Sequence, residues 1–289
     1  MTPAAGAVCI SPAPYLPFCD PVQRKVPGLF PLLPKTWVQR DAAFPAQMAL
    51  RDDLVAAKGH AVAAVLPEGR DALGECLNAV AAHLIETDPD YRRQGANLVR
   101  PDGQTVPVDG AAASLARLAQ EDWLILTPRP GHSEYVLVGG ALCFPAHWNL
   151  PDKLGLPLTQ VHGPVPDYRA TLADRVNRIF AALHVDRPLQ RLNWSLGASD
   201  DLYCPHPHME SDYHAPTHLR VERQTLRRLP DTEAVVFGVK TYLTPLVDLP
   251  PTARAALGRA VGDLSAEMRA YKGGATFLAR IDAGEGDPI

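Results

Sequence analysis

A chain of 289 residues is long enough to bury a substantial core, so neither disulfides nor a structural metal are needed to hold it folded. Hydrophobic residues at 46% and charged residues at 21% exclude disorder as the overall state, and a net charge of −4 argues against a nucleic-acid binder, so any anion site must be local. The 29 prolines point to many rigid turns, while five scattered cysteines without a CxxC pair disfavour a disulfide framework, a zinc ribbon and an iron–sulfur site.

In chain order, residues 1–36 are punctuated by proline and read as an extended arm along the surface. This N-terminus lacks a basic segment ahead of an apolar one, and the longest nearly apolar run, Val136 to Ala146, is too short to span a bilayer. A cytoplasmic protein without membrane contact is expected. Residues 37–289 are expected to form one α+β domain with a helical N-terminal part (37–120) and a sheet part (121–289). Phe44, Met48, Leu50, Leu54 and Val55 recur at near-helical spacing, as do Leu73, Leu77, Val80, Leu84 and Ile85, which predicts two amphipathic helices. Pro101-Asp102-Gly103 marks the turn of a small hairpin, and a short helix is expected over Ala111–Gln120. Trp123–Pro128, Glu134–Phe144, Asn193–Ser199, His218–Leu229 and Ala234–Leu246 are β-branched or aromatic runs bounded by turn residues, which predicts five strands in one antiparallel sheet. The first and last pairs are joined by hairpin-length turns. The crossover between the second and third carries a helix over Tyr168–Leu183, and a single helix over Thr252–Tyr271 closes the chain. Two strands, a helical crossover and three strands is the order of a PAS-like sheet.

The fingerprints of nicotinamide enzymes, P-loop NTPases, zincin proteases and α/β-hydrolases are absent. Three stretches remain. In the first, a long loop set by prolines presents His162 ahead of Gly163-Pro-Val-Pro166, a backbone with few conformational choices that suits a metal ligand, or equally a histidine that caps a turn. Cys143 and His147 are weaker alternatives as ligands. In the second, alternation along Leu219–Leu229 puts Arg223 and Arg227 on one face and Arg220, Glu222, Gln224 and Arg228 on the other. Arginines on a sheet require carboxylates, supplied either by a ligand or by an internal ion-pair set with Glu222 and the Glu121-Asp122 pair. The third stretch, residues 203–218, holds four histidines but is broken by prolines, and reads as a polar surface loop rather than a metal site.

These segments, LCFPAHWNLPDKLGLPLTQVHGPVP, RLNWSL and LRVERQTLRRLPDTEAVVFGVKTYLTPL, together with PGLFPLLPKTWVQRD, MALRDDL and QEDWLIL upstream, resemble the α-subunit family of haem-dependent oxidative N-demethylases. The likeness covers most of Pro27–Leu246. It implies a PAS-like domain holding haem b, which uses O2 and reductant to remove an N-methyl group from a small amine with release of formaldehyde. Carried onto this sequence, the family's His-X-Pro-Val-Pro segment falls on His162 as iron ligand, and its Arg-X-Glu-Arg-Gln segment falls on Arg220, Glu222, Arg223 and Gln224. Arg220, Arg223 and the nearby Arg227 are then expected partners of the haem propionates. Charge alone marks Glu222 or Asp122 to hold a substrate ammonium. Because the chain has no flavin, nicotinamide or iron–sulfur motif of its own, electrons are expected from NADPH through a reductase or ferredoxin-type partner. The competing class is a non-enzymatic haem-PAS sensor or scaffold, but only one amphipathic segment follows the last strand where a sensor would carry an output helix or domain.

Overall fold

The computed structural model describes residues 12–21, 23, 28–128, 134–166, 168, 172–206, 215–274 and 276–277. Its centre is five long strands: β6 (Asp122–Pro128), β7 (Tyr135–Ala141), β8 (Leu189–Gly197), β9 (His218–Arg228) and β10 (Val235–Pro245). Each of the five predicted runs is one of these strands. They lie in one antiparallel sheet in the order β8-β9-β10-β6-β7. The sheet is larger than the expected five strands, however. Two short strands, β1 (Phe30–Pro31) and β2 (Ala63–Val65), extend it to seven by pairing Phe30 with Gln190 and Ala63 with Ala141 at opposite edges. Strands of two or three residues have no alternation to read, because only tertiary pairing makes them strands.

One face of the sheet is covered by α1 (Phe44–Lys58), α2 (Arg70–Thr87) and α3 (Ala112–Ala116). Proline in the first turn starts α1, and Phe44, Met48, Arg51 and Leu54 line its buried stripe. Leu73, Leu77 and Val80 of α2 join Trp37, Trp123, Ile125, Val138 and Val236 in the largest core cluster. At nearly complete burial, each such aliphatic side chain contributes roughly 1.5–3 kcal/mol. The predicted hairpin forms as β4 (Asn97–Val99) and β5 (Thr105–Pro107), joined by β3 (Arg92–Gln94) in a second, three-stranded sheet. Its turn is fixed by the fully buried Arg100, whose guanidinium binds both Asp102 and Asp52 of α1.

The other face is covered by the loop after β7, α4 (Leu158–Val161) and α5 (Ala173–Ala182), which place Leu150, Leu158, Phe180 and Leu183 against Leu124, Leu126, Leu137 and Leu226. Arg228 of β9 closes the end of α5 by donating to the carbonyls of Phe180 and Leu183. The expected single C-terminal helix is two, α6 (Pro251–Gly262) and α7 (Ala266–Tyr271). Ser265 caps α7 by accepting from the Met268 amide at 3.2 Å, and Arg269 donates to the carbonyls of Val261, Gly262 and Leu264, so the break satisfies both helix ends. The described part of the N-terminal arm is anchored as well as extended: Phe18 is buried, edge-on to Trp194 at 5.9 Å. No helix among the described residues is long and apolar enough to cross a membrane.

Candidate cofactor site

The alternation expected along β9 is observed, and register extends it across the sheet. Glu222 lies beside Asn193 on β8 and Thr241 on β10, while Arg223 lies beside Leu192 and Lys240. The sequence-predicted residues therefore divide between two faces.

On the face covered by α4 and α5, Glu222 accepts from Arg220 Nε at 3.1 Å, from Gln224 Nε2 at 2.9 Å and from Asn193 Nδ2 at 3.3 Å. Burial works to raise its pKa, but the Arg220 guanidinium and these hydrogen bonds prevail and hold the carboxyl below the ordinary glutamate range. Arg220 also donates to the Phe144 carbonyl at 2.6 Å and to Thr241 Oγ1 at 3.1 Å. His162 follows α4, where its ring stacks on Tyr168 with centroids 4.4 Å apart and planes 8° from parallel. Its Nδ1 lies 2.9 Å from the Leu158 carbonyl. A carbonyl can only accept, so this contact places the proton on Nδ1 and leaves the lone pair on Nε2, the tautomer a metal ligand requires. Burial lowers the His162 pKa further, only partly offset by that hydrogen bond.

Arg191 of β8 occupies the same face, one pair along from Asn193. Its guanidinium makes no hydrogen bond or ion pair to a described residue, and its Nε is fully buried. Burial pulls its pKa down against the attraction of Glu222, Tyr271 and Tyr168. The Tyr168 hydroxyl is buried without a partner too, and burial pushes it up to about 12. Lys272, just past α7, reaches over the edge of β8 to Asn193 Oδ1 at 2.9 Å and to the Trp194 carbonyl at 2.6 Å, and burial lowers it to about 8. Buried donors without acceptors are costly. This face is thus suited to an anionic group that no described residue supplies.

Arg223 and Arg227 lie on the opposite face, beneath the N-terminal segment. Arg223 donates to the carbonyls of Thr36 and Trp37 at 2.6 and 3.2 Å and to Gln190 Oε1 at 3.1 Å, so its donors are taken. Arg227 stacks on the Trp37 ring at 4.4 Å. The sheet separates Arg220 from Arg223 and Arg227, so the three arginines expected to hold propionates do not share a face. Asp122 is also committed: Oδ1 accepts from Arg51 at 2.8 Å and from the Cys143 amide at 2.7 Å, and Oδ2 from the Phe144 amide at 2.9 Å. Fully buried, it fixes the turn after β7 to α1. Burial pushes the Cys143 thiol up to about 12, so it is not a thiolate at neutral pH. His147 donates its amide to the Cys204 carbonyl in the left-handed region (φ 62°). Residues 207–214 of the histidine-rich stretch lie outside the described residues. Among those described, no three His, Cys, Asp or Glu side chains gather as around a metal ion.

Arg191, Tyr168 and Lys272 were not singled out from sequence. The signal for Arg191 was available in the alternation of Leu192, Trp194 and Leu196 with Arg191, Asn193 and Ser195, but a strand started at Asn193 leaves Arg191 in the crossover.

Residues 28–281 match the family model described as haem-dependent oxidative N-demethylase, alpha subunit-like. The chain belongs to this family. The match runs from just before β1 to beyond α7, so both faces of the sheet and the segment carrying Lys272 are family structure. The family's name joins haem dependence to oxidative N-demethylation, and the face bearing His162 suits such a group: an imidazole nitrogen with a free lone pair and a guanidinium that no described residue pairs match the iron and carboxylate chemistry of haem.

Proposed function

We propose that this protein is the haem-binding subunit of an oxidative N-demethylase, holding haem b on the sheet face that carries His162 and Arg191. The observation that carries the reading is the His162 ring, fixed by Tyr168 and by the Leu158 carbonyl with its lone pair on Nε2, on the face that also bears Arg191, which no described residue pairs. The order of the five long strands, third-fourth-fifth-first-second with the helical crossover between second and third, supports a PAS-like sheet. Haem b, when bound, supplies O2 activation and oxidation at the N-methyl carbon of a small amine, yielding formaldehyde and the demethylated amine, with electrons from NADPH through a reductase or ferredoxin-type partner.

The residues of this chain have separable tasks. His162 Nε2 would take the iron; burial keeps the imidazole neutral, and the Nδ1–H donated to the Leu158 carbonyl fixes its tautomer and turn. Arg191 would take a carboxylate of the cofactor in a charge-assisted pair. Glu222, kept ionised by Arg220, offers the negative charge that draws a protonated methylamine, while Asn193 and Gln224 hold the carboxylate in place. Leu124, Leu226 and Phe237 on the same face exclude bulk water.

The test is His162→Ala reconstituted with haem. The Soret band should be lost or strongly shifted while the far-ultraviolet circular dichroism stays unchanged, and formaldehyde release from secondary and tertiary methylamines with a surrogate electron donor should vanish. An unaltered haem spectrum in the variant refutes the ligand assignment. Haem that reduces and takes O2 in the parent protein, yet gives no formaldehyde from any methylamine, refutes the activity.

A further inference from the structure

Arg227 is the arginine that this function leaves unexplained. It lies on the face of the sheet opposite His162, and its guanidinium makes neither a hydrogen bond nor an ion pair with any described residue. Its contact is the Trp37 indole, over which its Cζ sits at 4.4 Å. The pair lines a cleft of about 330 Å³ closed by Pro34, Val185, Asp186 and Pro188. Behind it stand groups that are uncharged at neutral pH. Burial holds the His83 imidazole down to about 4, with Arg227 adding to the effect, and burial pushes the Cys76 thiol up. Arg223, on the same face four residues away, is saturated by Thr36, Trp37 and Gln190 and offers nothing.

A half-buried guanidinium with every donor vacant is a fork awaiting an acid. The walls beside it, an indole, two prolines and a valine, suit a flat apolar body. The exposed Asp186 carboxylate at the rim opposes a dianion and tolerates a monoanion. We propose that the Arg227–Trp37 cleft binds a monocarboxylate carried on a planar apolar body, at a site separate from the His162 face. The guanidinium binds the carboxylate through two parallel N–H donors, and the prolines and indole cover the ring.

Benzoate is the probe. Titrated into the full chain and followed by calorimetry or ligand-observed NMR, it should bind saturably, in haem-loaded protein as in haem-free protein. In the parent protein it should shield Arg227 from phenylglyoxal, read by peptide mass spectrometry, which ties binding to that residue without any variant. Arg227→Gln should weaken binding tenfold or more, Arg227→Lys should restore only part of it, and Arg191→Gln should leave it unchanged. Absence of saturation in the parent, equal affinity in Arg227→Gln, unprotected Arg227, displacement by haem, or tighter binding of inorganic phosphate would each overturn the proposal. None of these outcomes depends on the haem reading, since benzoate binding is measured with and without haem.

Discussion

On the face beneath the N-terminal helices, Arg51 meets Asp122, Lys240 meets Asp41 at 2.9 Å, and Arg223 meets two backbone carbonyls. On the face beneath α4 and α5, neither the Arg191 guanidinium nor the Tyr168 hydroxyl makes a hydrogen bond to a described residue. Both faces belong to the same five strands, and both bury cations next to aromatic and aliphatic side chains. They differ in whether described residues meet the buried cations. Where they do, charge holds segments together that are distant in sequence. Where they do not, a whole unmet guanidinium marks a place for something else, unlike the single unmet N–H groups of Trp37, Trp123 and Arg51 on the first face. Arg227 is a guanidinium of the first face that no described residue meets, and for that reason it stands out as a binding group there.

The sharpest way to break this comparison is to remove a counter-group from the self-sufficient face. Asp122→Asn leaves the fully buried Arg51 without its carboxylate and should cost about 3–5 kcal/mol in urea denaturation. A loss under about 1 kcal/mol would mean that the pair is not a structural anchor. Arg223→Leu should cost about 3 kcal/mol by orphaning the Thr36 and Trp37 carbonyls, with the affinity of properly folded protein for haem unchanged. The mirror experiment is Arg191→Gln. It should leave the melting temperature level or slightly higher, because it removes an uncompensated buried cation, while weakening haem binding about 10-fold or more in a Soret titration. If Arg223→Leu loosened haem and Arg191→Gln did not, the roles of the two faces would be exchanged.

The smallest effect concerns pH. His83 accepts from the Val38 amide through Nε2 at 3.3 Å, which only a neutral ring can do, and burial lowers its pKa to about 4. The unfolded chain takes up this proton near pH 6.5 and the folded chain only near 4. The His83 contribution is therefore complete above about 6.5 and is lost as pH falls towards 4. Melting temperature should fall by roughly a few degrees across that window, and less in His83→Gln.

Long strands and long helices were legible in the sequence because each carries its own pattern. β9 and β10 are β-branched or aromatic runs of eleven residues bounded by turns, and α1 and α2 bury one stripe. The short edge strands were not legible, since Phe30–Pro31 and Ala63–Val65 acquire their structure only from Gln190 and Ala141. The site was legible in part. Alternation separated Arg220 and Glu222 from Arg223 and Arg227, but it could not say which face lay under His162, because the crossover that carries His162 has no period. Asp122 illustrates the same limit: its charge was plain, while its three partners, Arg51 and the amides of Cys143 and Phe144, come from two remote segments.

The bond from Arg223 to the Trp37 carbonyl spans 186 residues, and that from Gln190 to the Pro31 carbonyl spans 159. On a ribosome adding about 5–20 residues per second, the segment around Trp37 emerges roughly 9–37 s before the arginine that will hold it. Until β6 and β7 emerge, the Trp37 indole and the apolar stripes of the first two helices have no sheet to cover, and afterwards only one hairpin of it, which makes the nascent N-terminal third a ready client for a holding chaperone. Slowing translation upstream of residue 223 should accordingly lower the soluble yield more than an equal delay placed after it.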